Sequence, residues 1–239
     1  MRAWSAWSPG LESEEAWGEW ARNPQPLRGE GAPPVRFVPA ILRRRCDQLS
    51  RMMLHVANES IPDLRRSAPK SVFASCYGSI STMLGMLEEL AVDAPLSPSR
   101  FSHSVHNTQA GLFSIWANNH QASNSIAAGD ETFAHGFLEA VSLIQSKAGA
   151  EEGALFVTGD ESMPAVVADR SDAPEGAYAL SLVLEPSNED CGIKLSIEAG
   201  AAGGDTSIPD ALLFLRWFLS GESTLRLVHP LRTWVWTRV

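Results

Sequence analysis

Asp130, Glu131, Thr132 and His135 stand close together in the run ASNSIAAGDETFAHGFLEA, residues 122–140. Small residues in a strand-like run lead through Gly129 into a helical pattern. There Phe133, Phe137, Val141 and Ile144 recur on one face. A strand that passes through a tight small-residue turn into a buried helix is a common way to present a nucleophile. Yet this turn carries the acids Asp130 and Glu131, and no Cys or Ser is placed to act as one. Three roles stay open for the pair: a helix cap, a functional group facing a partner's pocket, or a catalytic acid. His135 lies at i+4 from Glu131, so a Glu–His pair is within reach, with Thr132 as the local nucleophile. The alternative for His135 is a hydrogen-bonded core or interface histidine.

Other residues suited to chemistry are scattered. His103, His106 and His120 lie in or beside FSHSVHNTQAGLFSIWANNH, and the 103/106 spacing invites a metal. No Cys or neighbouring carboxylate completes a ligand set, so no metal is expected. Cys46, Cys76 and Cys191 have no metal-type spacing and cannot all pair internally. They read as free thiols in a reducing compartment, with Cys46 and Cys76 as small buried apolar residues. Asp160-Glu161 is most simply a turn. A formal net charge of -9 argues against nucleic-acid binding, which needs a clustered basic surface. The one basic cluster, Arg43-Arg44-Arg45, reads as a solvated helix face or a partner contact.

The elements that must position these residues can be read along the chain. Hydrophobic content of 44% with 20% charged residues predicts an ordered globular chain, and 239 residues most economically make one domain. The N-terminus lacks an apolar signal core, and no window approaches the ~18 apolar residues of a membrane span, so the expected location is cytoplasmic. Trp4 and Trp7 sit in a short strand; Trp17 and Trp20 share a helix face. The run NPQPLRGEGAPP is a loop. Leu49, Met52, Met53 and Val56 mark an amphipathic helix over about 42–58, opened by the arginines. SVFASCYGS, 71–79, is a buried strand ending at Gly78. A helix follows with Ile80, Met83, Leu84, Leu87 and Leu90 facing inward. A third helix carries Leu112, Ile115 and Trp116, and the helix after Asp130 runs to about Ser146. GALFVTGDE is a strand; AYALSLVLEP and CGIKLSIEA make an antiparallel pair around SNED. Ser207 caps a helix with Pro209 in its first turn and Gly221 as its stop, and STLRLVHPLRTWVWTRV closes as a hairpin. The order βαβα followed by antiparallel strands predicts a layered α/β domain.

The run LSPSRFSHSVHNTQAGLFSIWANN, followed by SNSIAAGDETFAHGFLEAVSLI, resembles the N-terminal half of β-ketoacyl synthases of the thiolase fold. The matching features are Ser97-Pro98, Asn107 and Ala110-Gly111. Continuing without a gap from Gly111, the family's nucleophilic Cys falls on Asp130. RRRCDQLSRMMLHVANE and SVFASCYGSISTMLGMLEEL look like the family's opening helix and its following strand and helix. GALFVTGDESMP resembles its strand ending in a Gly-Gly-Ala-Glu turn, and AYALSLVLEP the strand after it. The resemblance is strongest over residues 35–200. The family's two later histidine motifs do not occur. The shortened form most resembles the chain-length-factor-like subunits of aryl polyene biosynthesis, in which an inactive homologue pairs with an active ketosynthase.

The resemblance implies a truncated thiolase-like α/β half-fold, with a mixed sheet and buried helices, and no catalytic residue of its own. A carboxylate at position 130 suits a helix N-terminus but cannot form a stable thioester, and the donors that would stabilise an enolate oxygen are missing. It implies an active β-ketoacyl synthase as partner, no cofactor, and an acyl carrier protein engaged only indirectly, docking mainly on that partner. The strand Ser123, Asn124, Ser125, Ile126, Ala127 and Ala128 is the expected pairing edge. Arg100, Phe101, Asn107, Leu112, Phe113 and Trp116 are expected to face the partner or its acyl tunnel. Because Leu112, Ile115 and Trp116 read as core, Phe113 is the favoured tunnel wall. The rival readings are a small stand-alone hydrolase using Glu131 and His135, and a homodimeric scaffold.

Overall fold

Two strands whose every residue is buried, β4 (Ala154–Asp160) and β5 (Tyr178–Leu184), form the centre of a five-stranded sheet. Continuous apolar runs such as ALFV and ALSLVL suit strands covered on both faces. The computed structural model describes residues 1–61, 68–145, 153–168, 176–187, 192–201 and 208–239. The sheet order is β1-β5-β4-β2-β3, with β1 (Ala3–Trp7), β2 (Lys70–Ala74) and β3 (Ser123–Ile126). The pairs β1/β5 and β4/β5 are antiparallel, while β2 runs parallel to β3 and β4, so the sheet is mixed. Strand β3 forms one edge.

Side chains alternate across this sheet and build a core on each face. Phe73, Leu155, Val157 and Val183 pack with α3 (Gln48–Ser60) and α6 (Thr108–Ala117). Val72, Phe156, Leu180 and Leu182 pack on the other side with α1 (Glu14–Arg22), α7 (Thr132–Gln145) and α9 (Asp210–Ser220). Helix α7 approaches β4 so closely that a Cβ on Gly136 would stand 2.6 Å from the Phe156 ring. Beyond α7 and α9 lies a second, antiparallel sheet, β6-β8-β7, of β6 (Ile193–Ala199), β7 (Thr224–Val228) and β8 (Arg232–Arg238). Trp234 and Trp236 point from β8 into the α7–α9 core and are fully buried. On the opposite face, the Arg226–Glu198 ion pair (2.7 Å) spans β8 beside Thr233 and Val235. The layers therefore run helix, sheet, helix, sheet.

The remaining helices are α2 (Ala40–Arg43), α4 (Ile80–Ala91), α5 (Pro98–Ser102) and α8 (Ala165–Ala168). Helix α3 begins at Asp47, whose carboxylate accepts from Ser50 N (2.8 Å). Arg43 thus ends a separate short helix, and the arginine run precedes α3 rather than opening it. The closing hairpin is present, and Gly221 at φ 76° ends α9 in the left-handed conformation. Ser207, Cys191, Ser146 and most of the SNED turn lie outside the described residues.

Three expectations are corrected. Strands β5 and β6 do not pair: the fully buried β5 belongs inside the first sheet, whereas the partly exposed β6 pairs with β8 in the second. Strand β2 ends at Ala74, because the backbone of the next residues is drawn to Asp160. Helix α4 buries Ile80 and Met86, while Met83 (41%), Leu87 (52%) and Leu90 (56%) remain exposed. An apolar stripe at helical spacing does not by itself place that face in the chain's own core.

Candidate functional site

The turn between β3 and α7 is built by Thr132, not by Asp130. The Thr132 hydroxyl donates to Gly129 O (2.7 Å) and accepts from Ala128 N (2.9 Å). Gly129 at φ 58° allows the chain to reverse there. The Asp130 carboxylate is exposed and accepts no hydrogen bond from a described residue. Glu131 turns the other way, toward the second sheet. It accepts from Trp234 Nε1 (2.7 Å) and pairs with Arg232 Nε (3.1 Å). His135 lies edge-on to the Trp234 ring at 5.0 Å. The Glu131 carboxylate and the His135 ring are joined by no side-chain hydrogen bond, although His135 N donates to Glu131 O in the first turn of the helix (3.0 Å). The Thr132 hydroxyl is already engaged, so the hydrolase constellation is not assembled.

The residues after β2 come to the same turn. Asp160, at the end of β4, is buried and gathers four donors. On Oδ1 these are Ser75 Oγ (2.7 Å), Cys76 N (2.8 Å) and Tyr77 N (3.1 Å); on Oδ2, Tyr178 OH (3.2 Å). Burial pushes the carboxyl up to about 6, and the four donors oppose it. Glu161 is also buried and accepts from Leu49 N (3.3 Å) and Ser81 N (3.0 Å), at the starts of α3 and α4. This pair, expected to be a turn, instead holds two helix starts and a loop to the central strand. A hint was available: acids that follow the all-apolar run ALFV after two residues, in ALFVTGDE, are placed at the edge of a core.

Cys76 is the described cysteine near this turn, with Thr132, Tyr77, Asp160 and Asp130 around its thiol. Burial first, then the Asp160 charge, pushes the thiol up to about 11. Against an ordinary value of 9.0, the thiolate fraction at neutral pH falls about 100-fold. Alkylation of Cys76 by iodoacetamide should therefore run about 100-fold slower than that of a free cysteine. Peptide mass spectrometry across a labelling time course checks this; labelling at the free-cysteine rate contradicts it.

The residues expected to face a partner divide. Arg100 folds back onto α4, lying over Gly85 and pairing with Glu89. Phe101 (62%) is exposed, and Asn107 is exposed ahead of α6. Leu112, Phe113 and Trp116 are buried in this chain's own core, and Ile115 (69%) is exposed. The expectation for Phe113 is thus overturned: its ring packs on Phe73 (5.3 Å) and Trp116 (6.2 Å). Ile115 lies about 200° around the helix from Phe113, so the two cannot share a face. The orientation is set by Gln109, buried and donating to Ser79 Oγ (3.1 Å) and Ser50 Oγ (3.4 Å). A polar residue anchoring the inward face was not anticipated.

In β3, Ser123 and Asn124 are exposed, Ser125 and Ile126 half-buried, and the turn continues through Ala127 and Ala128. Ser123 is held by Ser71 Oγ (2.9 Å) and Asn124 reaches Glu139 (2.6 Å). His106 contacts Ser75 O through Nε2 (3.0 Å). Among the described residues, no group of three His, Cys, Asp or Glu is gathered to hold a metal, and no helix is long and apolar enough to cross a membrane.

The architecture can be placed among known structures. A chain of the structure of a ketosynthase (ApeO) in complex with its chain length factor (ApeC) from Xenorhabdus doucetiae is similar over 100% of this chain and 100% of its own, with a TM-score of 0.82 and 26% identity. The ishigamide ketosynthase/chain length factor aligns over 83% of this chain and 66% of its own, with a TM-score of 0.65 and 15% identity. A β-ketoacyl synthase from Burkholderia phymatum aligns over 92% and 70%, with a TM-score of 0.56 and 15% identity. No sequence relative is detected among curated proteins. The fold is the layered thiolase-like α/β fold of these ketosynthases. A family model described as the β-ketoacyl synthase N-terminal domain matches residues 17–237, and the chain belongs to that family.

Proposed function

We propose that this chain is a non-catalytic, chain-length-factor-like subunit, built as one domain, that pairs with an active β-ketoacyl synthase in a cytoplasmic aryl polyene or related polyketide pathway. The observation that carries the reading is the α7 turn. Condensation needs a thiolate there; this turn offers Asp130, and the nearby Cys76 is held protonated by burial and carboxylates. The similar ApeO–ApeC structure is a ketosynthase held with its chain length factor. Two surfaces here are suited to such a partner: the edge strand β3 and the exposed apolar stripe of α4, flanked by Phe101 and Val105. Phe101 replaces Phe113 as the bulky residue of this segment free to reach a partner's acyl tunnel.

Co-expression with an active ketosynthase from the same type of pathway, then affinity purification, tests the pairing. A stable stoichiometric complex is expected, with all acyl adducts on the ketosynthase when the complex meets acyl carrier substrate. An acyl adduct on this chain, or full activity of this chain alone, would overturn the reading. A soluble self-paired chain that ignores the ketosynthase would point to the homodimeric scaffold.

A further inference from the structure

The second sheet is fastened to the α7 turn by a charged cluster that the role proposed above does not use. His229, in the turn between β7 and β8, places Nε2 2.9 Å from Asp210 Oδ2 at the start of α9. Both side chains are largely buried, 11% and 13% exposed. The His229 backbone is fixed on both sides: its N–H donates to Arg232 O (3.0 Å), and its carbonyl accepts from Ala201 N (3.3 Å). The charges acting on the ring come from three elements, and of them Asp210 touches it. Asp210 belongs to α9, Asp130 and Glu131 to the turn before α7, and Arg232, paired with Glu131, to β8. Three carboxylates and one guanidinium thus set the field at the imidazole, whose charge decides the balance. Protonated, it leaves one excess negative charge among these groups; neutral, it leaves two.

We propose that this cluster is a proton-operated clasp: protonated His229 holds the β7–β8 turn and the start of α9 to the α7 turn, and the hold weakens in mildly alkaline solution. The ring's affinity for its proton is raised, chiefly by the hydrogen bond to Asp210, with Glu131 and Asp130 adding to it against burial. A raised folded value gives a contribution that is complete below the ordinary histidine range and lost as pH rises through the folded value. Burial outweighs His229 at Asp210, whose carboxyl is also raised. The pair is therefore held together by the histidine's proton rather than by a strongly stabilised carboxylate. The clasp adjoins β3 through residues 127–131, so an effect on partner pairing would follow; that consequence alone rests on the proposed function.

Hydrogen exchange of the full chain, with and without a ketosynthase, measures the clasp in peptides covering 126–135, 208–214 and 226–234. After correction for intrinsic exchange, protection in these peptides should fall about three- to tenfold from about pH 6.5 to about pH 9, while β4 and β5 hold steady. His229→Gln and Asp210→Asn should each start from low protection and lack the pH step. Unchanged wild-type protection, or the same step surviving in His229→Gln, overturns the proposal. Should either variant fail to fold, the imidazole titration of wild-type His229 by NMR decides: an ordinary or lowered value also overturns it. Failure of the ketosynthase pairing would leave the exchange step in place, so the two ideas fail separately.

Discussion

Replacing Asp160 with alanine should remove about 3–5 kcal/mol of stability, enough to unfold an ordinary domain in a large fraction of molecules. The carboxylate is buried at the end of the central strand, and its Oδ1 alone accepts from Ser75 Oγ, Cys76 N and Tyr77 N. Alanine leaves two backbone N–H groups and the Tyr178 hydroxyl facing a void, and a buried donor without a partner costs about 1–3 kcal/mol. Asp160→Asn is the informative comparison. An Asn oxygen keeps the three Oδ1 contacts, and its amide can donate to Tyr178, whose hydroxyl reverses its role. At pH 7 the loss should shrink to about 1 kcal/mol or less. Denaturant midpoints of the purified protein, alone or in complex, separate the two variants.

The same residue gives a pH signature. The Asp160 carboxyl is raised from 3.8 to about 6 by burial. A raised folded value means that the protonated form favours folding: the contribution is complete below about pH 4 and lost as pH climbs through about 6. The span corresponds to roughly 3 kcal/mol. Asp160→Asn should abolish this part of the slope, so that the wild type has the advantage at pH 4 and little or none at pH 7. An identical slope in the Asn variant would remove Asp160 from the account.

Asp160 also shows where a sequence is legible and where it is not. The alternating or continuous apolar runs of β1, β4, β5 and the closing hairpin specified strands, because burial on one or both faces imposes their pattern directly. The stop did the same for α9, where Gly221 sits in the conformation only glycine adopts cheaply, while the start lies at Pro209, which stands at the N-cap without a side-chain hydrogen bond rather than in the first turn. The strand-to-helix turn at Gly129 was legible for that reason too. Asp160-Glu161 was not: polarity suggests solvent, and only the arrival of the 75–81 loop and the start of α3 supplies their donors. Phe113 was misassigned because Leu112, Ile115 and Trp116 read as one core stripe, whereas the buried Gln109 amide anchors a face that takes Phe113 inward and leaves Ile115 exposed. His229 and Asp210 are far from the turn in sequence, and no local spacing announces their meeting with Glu131 across two elements.

The stripe on α4 was legible as apolar but not as unpartnered, and it carries the remaining large effect. Leu87→Asp should weaken association with the ketosynthase by more than 100-fold, while leaving this chain's own fold intact. Leu87 is half exposed, with Met83 at i−4 and Leu90 at i+3 on the same face, and Phe101 stands on the neighbouring α5. In the free chain an aspartate at 87 stays hydrated, so stability changes by at most a few tenths of a kcal/mol. In a complex that buries the stripe, the same carboxylate loses its water and finds no cation, at a cost of about 3–5 kcal/mol. Arg100, the nearest basic residue of the α4–α5 segment, is already paired with Glu89. Ile41→Asp provides the control, because Ile41 is equally apolar and more exposed (71%), but lies on α2 away from the stripe. Binding titration with the purified ketosynthase, alongside thermal unfolding of each variant, distinguishes the outcomes. If Leu87→Asp binds like the wild type, the α4 stripe faces solvent in the complex and β3 must carry the pairing. If Ile41→Asp weakens binding as much as Leu87→Asp, the effect is one of net charge rather than of this face.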